Sequence, residues 1–485
     1  MTTEYSHAHI ERCLDTVSRV VTAADAGWWP EFSPRGLCLV LFDDNGAAYF
    51  AGPDLPSVET DPLEWDVSPL AVPVRLVRGR FTPPAGPVPV TIDDMPVAAV
   101  RLPAEDNWDD ASFFVTVARA YFQAFLARFR HRLPDIRYVG FYPDDDPVNN
   151  AFGTLEGHLL YVVLTGTYGR ENGPWPWPEG LLQLPAPPDQ AEMPRIFSLI
   201  RRERRGPLED DLIDYEKSVE IFEGLAEYVA LRGLGQAVPD VFPRVLADRM
   251  RGLLSLSVHG LGAAWRRWDL SGLALAMWLD AVSPGWQDGF LASHRSLDDL
   301  LEAGVRFDGG TGDEELIAWA EEHYGFYQAL DAERGFAELL KERSAEALQK
   351  ALDPAGGKIT FDLSVMFPGA GWSGGNVSAV FSFDPRHAER VGEGIVIHHR
   401  GLSMEAGTTT FDFTVPVVED ARSKLLHVSV GSRKLRFDGD GQVFRTVKPA
   451  AFTRGLDIDI PGIRVHADAG TLVDADGALY IKILA

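Results

Sequence analysis

Two helical stretches dominate the hydrophobic pattern of this 485-residue chain. The segment 113–130 (FFVTVARAYFQAFLARFR) is apolar on most of its surface, which predicts a helix buried at the centre of a domain. The segment 215–232 (YEKSVEIFEGLAEYVALR) predicts a second, amphipathic helix. Each helix carries a polar stripe at the spacing i, i+4, i+7 and i+11, which places each stripe on one face. The stripes are Ser112, Thr116, Arg119 and Gln123 on the first helix, and Glu216, Glu220, Glu223 and Glu227 on the second.

The remaining pattern predicts an α+β fold in three parts. An opening helix to about residue 24 precedes β-rich runs at 37–42, 47–52, 72–77 and 95–102, so 1–109 forms a helix and β-sheet part. Residues 110–353 are predominantly helical, and Ser296 with Asp299 predicts a capping box at a helix start. After a Pro- and Gly-containing linker at 353–357, apolar and polar residues tend to alternate with period two. This alternation predicts an all-β, sandwich-like C-terminal domain at 358–485.

Two irregular segments stand out between these elements. The Pro-rich stretch 169–188 is too long for a bare connector, and such loops are often lids or binding loops. The glycine-rich stretch 368–376 lacks the Gly-Lys-Ser/Thr ending and the following helix that a phosphate-binding loop requires. We therefore expect a hairpin or a long β-turn at 368–376.

Charge and composition narrow the range of partners and compartments. Lys and Arg number 45 against 71 Asp and Glu, a net charge of -26, which repels phosphate backbones and anionic lipid headgroups. We therefore expect neither nucleic acid nor membrane as a partner, and no apolar run reaches the roughly 18 residues of a membrane span. The N-terminus has no apolar signal region, and the two cysteines, Cys13 and Cys38, suit a reducing compartment as buried thiols. These features predict a cytoplasmic protein.

The charged residues of the helical part allow competing interpretations. The glutamate stripe is either an acidic, solvent-exposed face or a place where a cation sits among four like charges. Arg119, if buried, needs a carboxylate partner, for which Glu223 is the candidate; otherwise it reaches solvent along its stripe. The dense basic cluster at 201–205 is expected to form a solvated face, paired with acidic neighbours; the alternative is a docking spot for an acidic partner or an anionic ligand. Its arginines are Arg201, Arg202, Arg204 and Arg205, and the neighbours are Glu203, Glu209 and Asp210.

The segment 110–301 resembles the gluzincin-type zinc metallopeptidases, in particular a loose group of uncharacterised bacterial proteins. The pieces that carry the resemblance are TVARAYFQAF, NNAFGTLEGHLL, the stretch from RRERR to YEKSVEIFEGLAEYVALRG, and LSGLALAMWLDAVSPGWQDGFL followed by SLDDLL. In that family the first piece would carry His-Glu-x-x-His, and EGLAEY would supply a third, glutamate ligand. Position by position, the resemblance places Glu223 at the third ligand, followed by Gly224, Ala226 and Tyr228.

The same alignment shows that the zinc motif is degenerate. The first histidine falls on Arg119, the general-base glutamate on Ala120, and the second histidine on Gln123. A catalytic zinc needs three protein ligands and an open position for water, whereas only Glu223 remains here. The resemblance therefore implies a zincin-like scaffold without metal, cofactor or zinc peptidase activity. Its role would be binding, regulatory or structural, with an unknown protein or small-molecule ligand as partner.

Three alternatives stay open at the level of sequence. An enzyme could use the same cleft without the lost motif, drawing on side chains suited to acid and base chemistry. Those cleft residues are Tyr121, Glu156, His158, Tyr228 and the glutamate face from Glu216 to Glu227, which includes Glu220. A noncatalytic metal site could form from Glu156, His158, Glu220 and Glu223. Finally, the C-terminal β-domain could make the chain an assembly module that binds protein or carbohydrate.

Overall fold

The fold is taken from a computed structural model that describes most of the chain. The described residues are 5–43, 47–52, 61–62, 74–78, 90–92, 95–132, 142–165, 184–185, 190–254, 261–307, 311–352, 357–368, 372–374, 377–383, 387–392, 394–431, 450–452, 455–475 and 478–484. The Pro-rich loop predicted at 169–188 lies almost wholly outside them, as do residues 353–356 of the predicted linker.

The described residues of the N-terminal part form one α-helix and a six-stranded sheet. Helix α1 (His7–Ala24) begins at Ser6, whose hydroxyl accepts a hydrogen bond from the backbone N–H of His9 at 3.2 Å. The strand order is β3-β4-β2-β1-β6-β5, with β1 and β6 parallel and the other pairs antiparallel. The strands are β1 (Cys38–Phe42), β2 (Ala47–Ala51), β3 (Asp61–Pro62), β4 (Val74–Arg78), β5 (Val90–Ile92) and β6 (Met95–Arg101). All four β-rich runs of the sequence are confirmed as strands.

The central part is helical, as predicted. Its helices are α2 (Asp110–Leu126), α3 (Pro147–Thr165), α4 (Met193–Arg205), α5 (Asp210–Val219), α6 (Leu225–Ala237), α7 (Phe242–Leu253), α8 (Leu261–Val282), α9 (Leu297–Glu302), α10 (Thr311–His323) and α11 (Phe326–Leu352). The capping box of α9 is confirmed, because the Ser296 hydroxyl and the Asp299 carboxylate each accept a bond from the other residue's backbone N–H.

Helix α2 lies at the centre of the main hydrophobic core. Its aromatic side chains pack against three aromatic residues of the turn that follows α1, with Phe122 5.5 Å from Trp29 and 5.2 Å from Phe32 between ring centroids. Phe114 packs against Trp28 in the same way, at 6.1 Å. The burial of nearly every apolar residue of α2 confirms the prediction of a central helix.

The segment predicted as one helix at 215–232 is interrupted by a π turn, Glu220–Gly224, between α5 and α6. Helix α8 crosses this turn at very short range, and two glycines permit the approach. A Cβ on Gly224 would lie 2.5 Å from the Cα of Gly272, and a Cβ on Gly272 would lie 2.4 Å from the carbonyl oxygen of Glu220. Because no side chain larger than hydrogen fits there, the backbones of the turn and of α8 pack directly together.

The C-terminal part is a β-sandwich, as the period-two alternation predicts. The sheet orders are β11-β12-β15-β16-β7-β21-β20-β17 and β10-β13-β14-β19-β18. The strands are β7 (Gly357–Asp362), β8 (Ser373–Gly374), β9 (Val377–Ser378), β10 (Val380–Ser382), β11 (Ala388–Gly392), β12 (Ile395–His398), β13 (Leu402–Ala406), β14 (Thr409–Phe413), β15 (Val417–Asp420), β16 (Leu425–Gly431), β17 (Ala450–Phe452), β18 (Leu456–Ile460), β19 (Ile463–Ala467), β20 (Ala469–Ala475) and β21 (Ala478–Leu484). Phe361 of the larger sheet packs on Phe411 of the smaller one, 5.3 Å between ring centroids.

Two further features of the sandwich bear on the predictions. Strand β8, near the end of the glycine-rich segment, pairs antiparallel with β9, which follows that segment, in agreement with the expected hairpin. The sandwich core also continues into the helical part, because Tyr142 and Trp268 belong to the same hydrophobic cluster as Phe361. Within the described part of the chain, none of the helices has the length and apolar character needed to span a bilayer.

Candidate functional site

Helices α2 and α6 pack side by side and bring Arg119 to the carboxylates of the second helix. Its Nη2 donates to Oε2 of Glu223 at 2.5 Å, and its Nη1 donates to Oε2 of Glu227 at 2.6 Å. The same Nη1 lies 3.4 Å from Oδ2 of Asp269 on α8. The predicted pairing of Arg119 with Glu223 is therefore confirmed, and the guanidinium bridges three helical elements.

Two further side chains complete this group. Gln123 Nε2 donates to the same Glu223 oxygen that Arg119 binds, at 3.0 Å. On α7, Arg249 Nε donates to the other oxygen of Glu227, at 2.5 Å. We call this group the Arg119 cluster, and its members are Arg119, Gln123, Glu223, Glu227, Arg249 and Asp269. The two polar positions of α2 that the resemblance aligns with zinc-binding histidines thus converge on one carboxylate oxygen.

The Arg119 cluster is largely but not wholly closed to solvent. The Glu227 side chain is fully buried, whereas Glu223 and Arg119 keep 10% and 23% of their side-chain surface exposed. Burial disfavours the charged form of Glu227, but Arg119 and Arg249 together hold its pKa below the ordinary value. Burial raises the pKa of Asp269 to about 7 against the opposing effect of Arg119, and the charges of Glu227 and Glu223 add to the rise.

The four glutamates of the predicted stripe are all buried, between 0% and 8% exposed, so the interpretation as an acidic solvent face is wrong. The π turn divides them between two groups. Glu223 and Glu227 join the Arg119 cluster, while Glu216 and Glu220 face α4. Four buried glutamates repel one another unless cations lie nearby, and in this fold arginine side chains supply the positive charge.

A second buried group, the Arg204 cluster, joins α3, α4, α5 and α9. Arg204 Nη1 donates to Glu216 at 2.6 Å and its Nε donates to Glu156, also at 2.6 Å. Arg201 bridges Glu156 and Glu220, each at 2.9 Å from its Nη2. The members of the cluster are Glu156, Arg201, Arg204, Arg205, Glu216, Glu220 and Asp298.

The Arg204 cluster corrects the prediction that 201–205 is a solvated basic face. Arg201, Arg204 and Arg205 are 1%, 2% and 8% exposed, and only Arg202 points outward, where it pairs with Glu302. A signal for this burial exists in the sequence. The three buried arginines stand at i, i+3 and i+4 on one helix face, and Glu216 and Glu220 stand at i and i+4 on the next helix. Matching stripes of opposite charge on successive helices favour a buried ionic interface.

The other predicted cleft residues do not converge on a shared site. His158 Nδ1 faces the carbonyl oxygen of Tyr324 at 2.9 Å, away from any glutamate. Tyr121 is 3% exposed, and burial raises its pKa. The hydroxyl of Tyr228, which is fully buried, donates to Asp280 at 2.8 Å. Ala120 contributes only a buried methyl group, 7% exposed.

The noncatalytic metal site considered from the sequence is wrong, because its four residues are engaged elsewhere. Glu156 and Glu220 bind Arg201, and Glu223 binds Arg119. Across the described ranges, no three His, Cys, Asp or Glu side chains are grouped in a way that could hold a metal ion. Asp269 and Arg249 also belong to the Arg119 cluster, but neither lies in a sequence motif that would have indicated this.

The chemistry of the Arg119 cluster is that of a cation held among carboxylates. A planar guanidinium holds its N–H donors in a fixed fork, and here Nη2 and Nη1 donate to carboxylates of different helical turns. The contacts tie α2 to α6 by charge as well as by packing.

Comparison with known proteins adds no relationship, since no family model, curated protein or solved structure matches the chain.

Proposed function

We propose that the protein is a catalytically inactive, zincin-like scaffold in which the Arg119 guanidinium occupies the place of a metal ion's positive charge. Its role is binding, regulatory or structural. The observation that carries the proposal is the convergence of Arg119 and Gln123 on Oε2 of Glu223, at 2.5 and 3.0 Å. These are the three positions at which the resemblance places the ligands of a catalytic zinc.

The side chains at this place suit a structural ion pair better than catalysis. A zinc hydrolase needs neutral histidines, a carboxylate ligand and a general base beside an open coordination position. Here the histidine positions are an arginine and an amide that donate hydrogen bonds, and the base position is Ala120. Glu223, the remaining ligand position, is already neutralised by Arg119.

Burial also weighs against an enzyme that uses the same residues without zinc. Tyr121, Glu156 and Tyr228 are 3%, 3% and 0% exposed, so a substrate cannot reach them without a rearrangement of the core. The carboxylates Glu220 and Glu227 are bound by arginines at 2.9 Å or less. A carboxylate held in this way is a poor general base, because its lone pairs and its charge are already engaged.

The first test measures metal content and peptidase activity of the purified protein. We expect far less than one zinc per chain by elemental analysis after dialysis against trace zinc, and no peptidase activity above a heat-denatured control. About one zinc per chain that resists dialysis would overturn the proposal, since a metal and Arg119 cannot both occupy the space beside Glu223.

The second test restores the ligand set with the double variant Arg119→His and Gln123→His. Histidines at i and i+4 on α2, with Glu223 opposite, would supply the three ligands of the family pattern. We expect this variant to bind about one zinc per chain and to melt at a higher temperature with zinc than without it. The matched control is the single variant Arg119→His, which has one ligand fewer and should bind zinc at least about tenfold more weakly. A folded double variant with no gain of zinc would refute the assignment of these positions.

A further inference from the structure

A surface pocket of about 650 Å³ lies on a different side of α6 from the Arg119 cluster. It is formed by the turn that follows α1, the C-terminal half of α6 and the loop that follows α8. Arg232, which lines it, stands nine positions after Glu223, and this spacing puts the two side chains on roughly opposite sides of the helix. The volume is within the range of small-molecule sites.

A guanidinium that has no carboxylate partner among the described residues lines this pocket. In the described part of the chain Arg232 forms no ion pair, and its hydrogen bond runs from Nη1 to the Tyr228 hydroxyl oxygen at 3.1 Å. That hydroxyl donates to Asp280 at 2.8 Å and also accepts from Gln287 Nε2 at 3.0 Å. The hydrogen bonds hold Arg232 in place from one side and leave the rest of its donor fork available to a ligand.

Acidic residues line the same pocket. Glu31 and Asp288 are exposed, and neither has a side-chain hydrogen bond or ion pair to any residue that the structure describes. Asp25 also lines the pocket, but Arg35 neutralises it through an ion pair of 2.6 Å. The charge pattern is therefore one unpaired guanidinium against two unpaired carboxylates. A simple anion would be repelled by this arrangement, whereas a ligand that carries both charges complements it.

The pocket floor is rigid and aromatic. Trp28 and Trp29 are 0% and 4% exposed, and both pack into the core beneath the pocket. A Cβ at position 233 would lie 2.4 Å from the Trp28 ring, so Gly233 allows this ring to lie directly on α6. Glu31 adopts a left-handed backbone conformation, with φ of 62°, that non-glycine residues rarely take. The aromatic floor and the Arg232 guanidinium, held by its bond to Tyr228, are thus in place before any ligand arrives, which reduces the entropic cost of binding.

We propose that this pocket binds a small zwitterion of the amino-acid or dipeptide class. The ligand carboxylate binds Arg232, and its ammonium group lies between Glu31 and Asp288. The site is independent of the proposed function, because it shares no side chain with the Arg119 cluster.

The experiment is a calorimetric titration of the whole protein with the dipeptide Ala-Phe. We expect saturable binding with a dissociation constant below about 10 mM. Acetyl-Ala-Phe-amide, which carries neither charge, should bind at least about tenfold more weakly, as should acetate and ethylamine, which carry one charge each. Absence of saturation with Ala-Phe, or equal binding of the blocked peptide, would overturn the proposal.

Variants assign the two ends of the ligand. Arg232→Met and Asp288→Asn should each weaken Ala-Phe binding by about tenfold or more, the first by loss of the carboxylate partner and the second by loss of the ammonium partner. Asp288→Asn changes an exposed side chain, so it keeps the test valid if Arg232→Met fails to fold. Arg251→Met is the control, because Arg251 is 62% exposed and pairs locally with Asp248. Unchanged binding in Asp288→Asn would contradict the assignment.

Discussion

Arg119 shows at the scale of one residue how a buried charge is accommodated. Its two Nη atoms serve different carboxylates, Glu223 and Glu227, so that neither carboxylate is left with an uncompensated charge. Lysine could not reproduce this geometry, because an ammonium group is a single point charge without a fork of donors. The contact is therefore specific for arginine.

Replacing Arg119 with alanine should lower the free energy of unfolding by about 3 kcal/mol, because Glu223 and Glu227 would lose their shared cation in a buried place. The free energy of unfolding of Arg119→Lys should lie between those of Arg119→Ala and the natural protein. Chemical denaturation at neutral pH measures both. Arg251→Ala, at an exposed pair, serves as the control and should change stability by less than about 0.5 kcal/mol. Equal stability of Arg119→Ala and the natural protein would contradict the role of the cluster.

At the scale of elements, the π turn and the crossing of α8 arrange both charged clusters. Glu220 and Glu223 both lie in the turn, where Glu220 faces Arg201 and Glu223 faces Arg119. The close contact of Gly224 with Gly272 fixes the position of the turn. π turns are frequent at functional sites in helical proteins, and here the turn directs carboxylates toward two separate arginine groups.

Gly272→Ala should destabilise the fold by about 3 kcal/mol or abolish folding, because its Cβ would lie 2.4 Å from a backbone oxygen that no rotamer change can move. Gly335→Ala in α11 is the matched control. Apart from the backbone of its own helix, no described part of the chain comes within 4 Å of its added Cβ, so alanine should stabilise the helix by about 0.5–1 kcal/mol. Thermal unfolding of both variants checks the prediction, and a Gly272→Ala protein as stable as Gly335→Ala would be incompatible with the close crossing.

At the scale of the whole molecule, the helical part and the β-sandwich are joined by a shared core and by an ion pair. Arg390 of β11 lies 2.8 Å from Asp144, which is 4% exposed in the segment before α3. Burial raises the pKa of Asp144 to about 6, and the nearby Asp145 adds to the rise, although Arg390 opposes it. The junction between the two parts therefore contains a carboxyl group that titrates in mildly acidic solution.

Asp144→Asn should alter how stability depends on pH. The folded pKa is above the unfolded value of about 4, so the proton on Asp144 stabilises the fold at low pH, and this contribution is lost as pH rises to about 6. Asparagine stays neutral. As the pH rises from 4 to 6, the free energy of unfolding of Asp144→Asn should increase relative to that of the natural protein by on the order of 2 kcal/mol. At higher pH the difference between the two proteins should stay constant. Calorimetry across this range measures the effect, and Asp331→Asn, at a carboxylate with 81% of its side-chain surface exposed and far from Arg390 in the sequence, is the control. Parallel curves for Asp144→Asn and the natural protein would contradict the prediction.

The local spacing of hydrophobic residues along the chain determined the helices and strands of this protein. Hydrophobic spacing was sufficient to predict α2, four strands of the N-terminal sheet and the sandwich, because these signals depend on neighbours within a few residues. The pairing of Arg119 with Glu223 was also predictable, since a cation on an otherwise apolar helix requires a carboxylate and the next amphipathic helix carried a stripe of them.

Only the tertiary structure decided which polar stripes are buried. Whether Glu216 faces water or Arg204 depends on how α4 packs against α5, and the spacing of charges within one helix is the same in both cases. Asp269 and Arg249 join the Arg119 cluster from two other helices, α8 and α7, through contacts that no local pattern encodes. Burial is a property of the assembled surface of many elements, whereas periodicity is a property of one element. This is why the sequence predicted the helices and the pairing of Arg119 with Glu223, but not the burial of the arginines of α4 with Glu216 and Glu220.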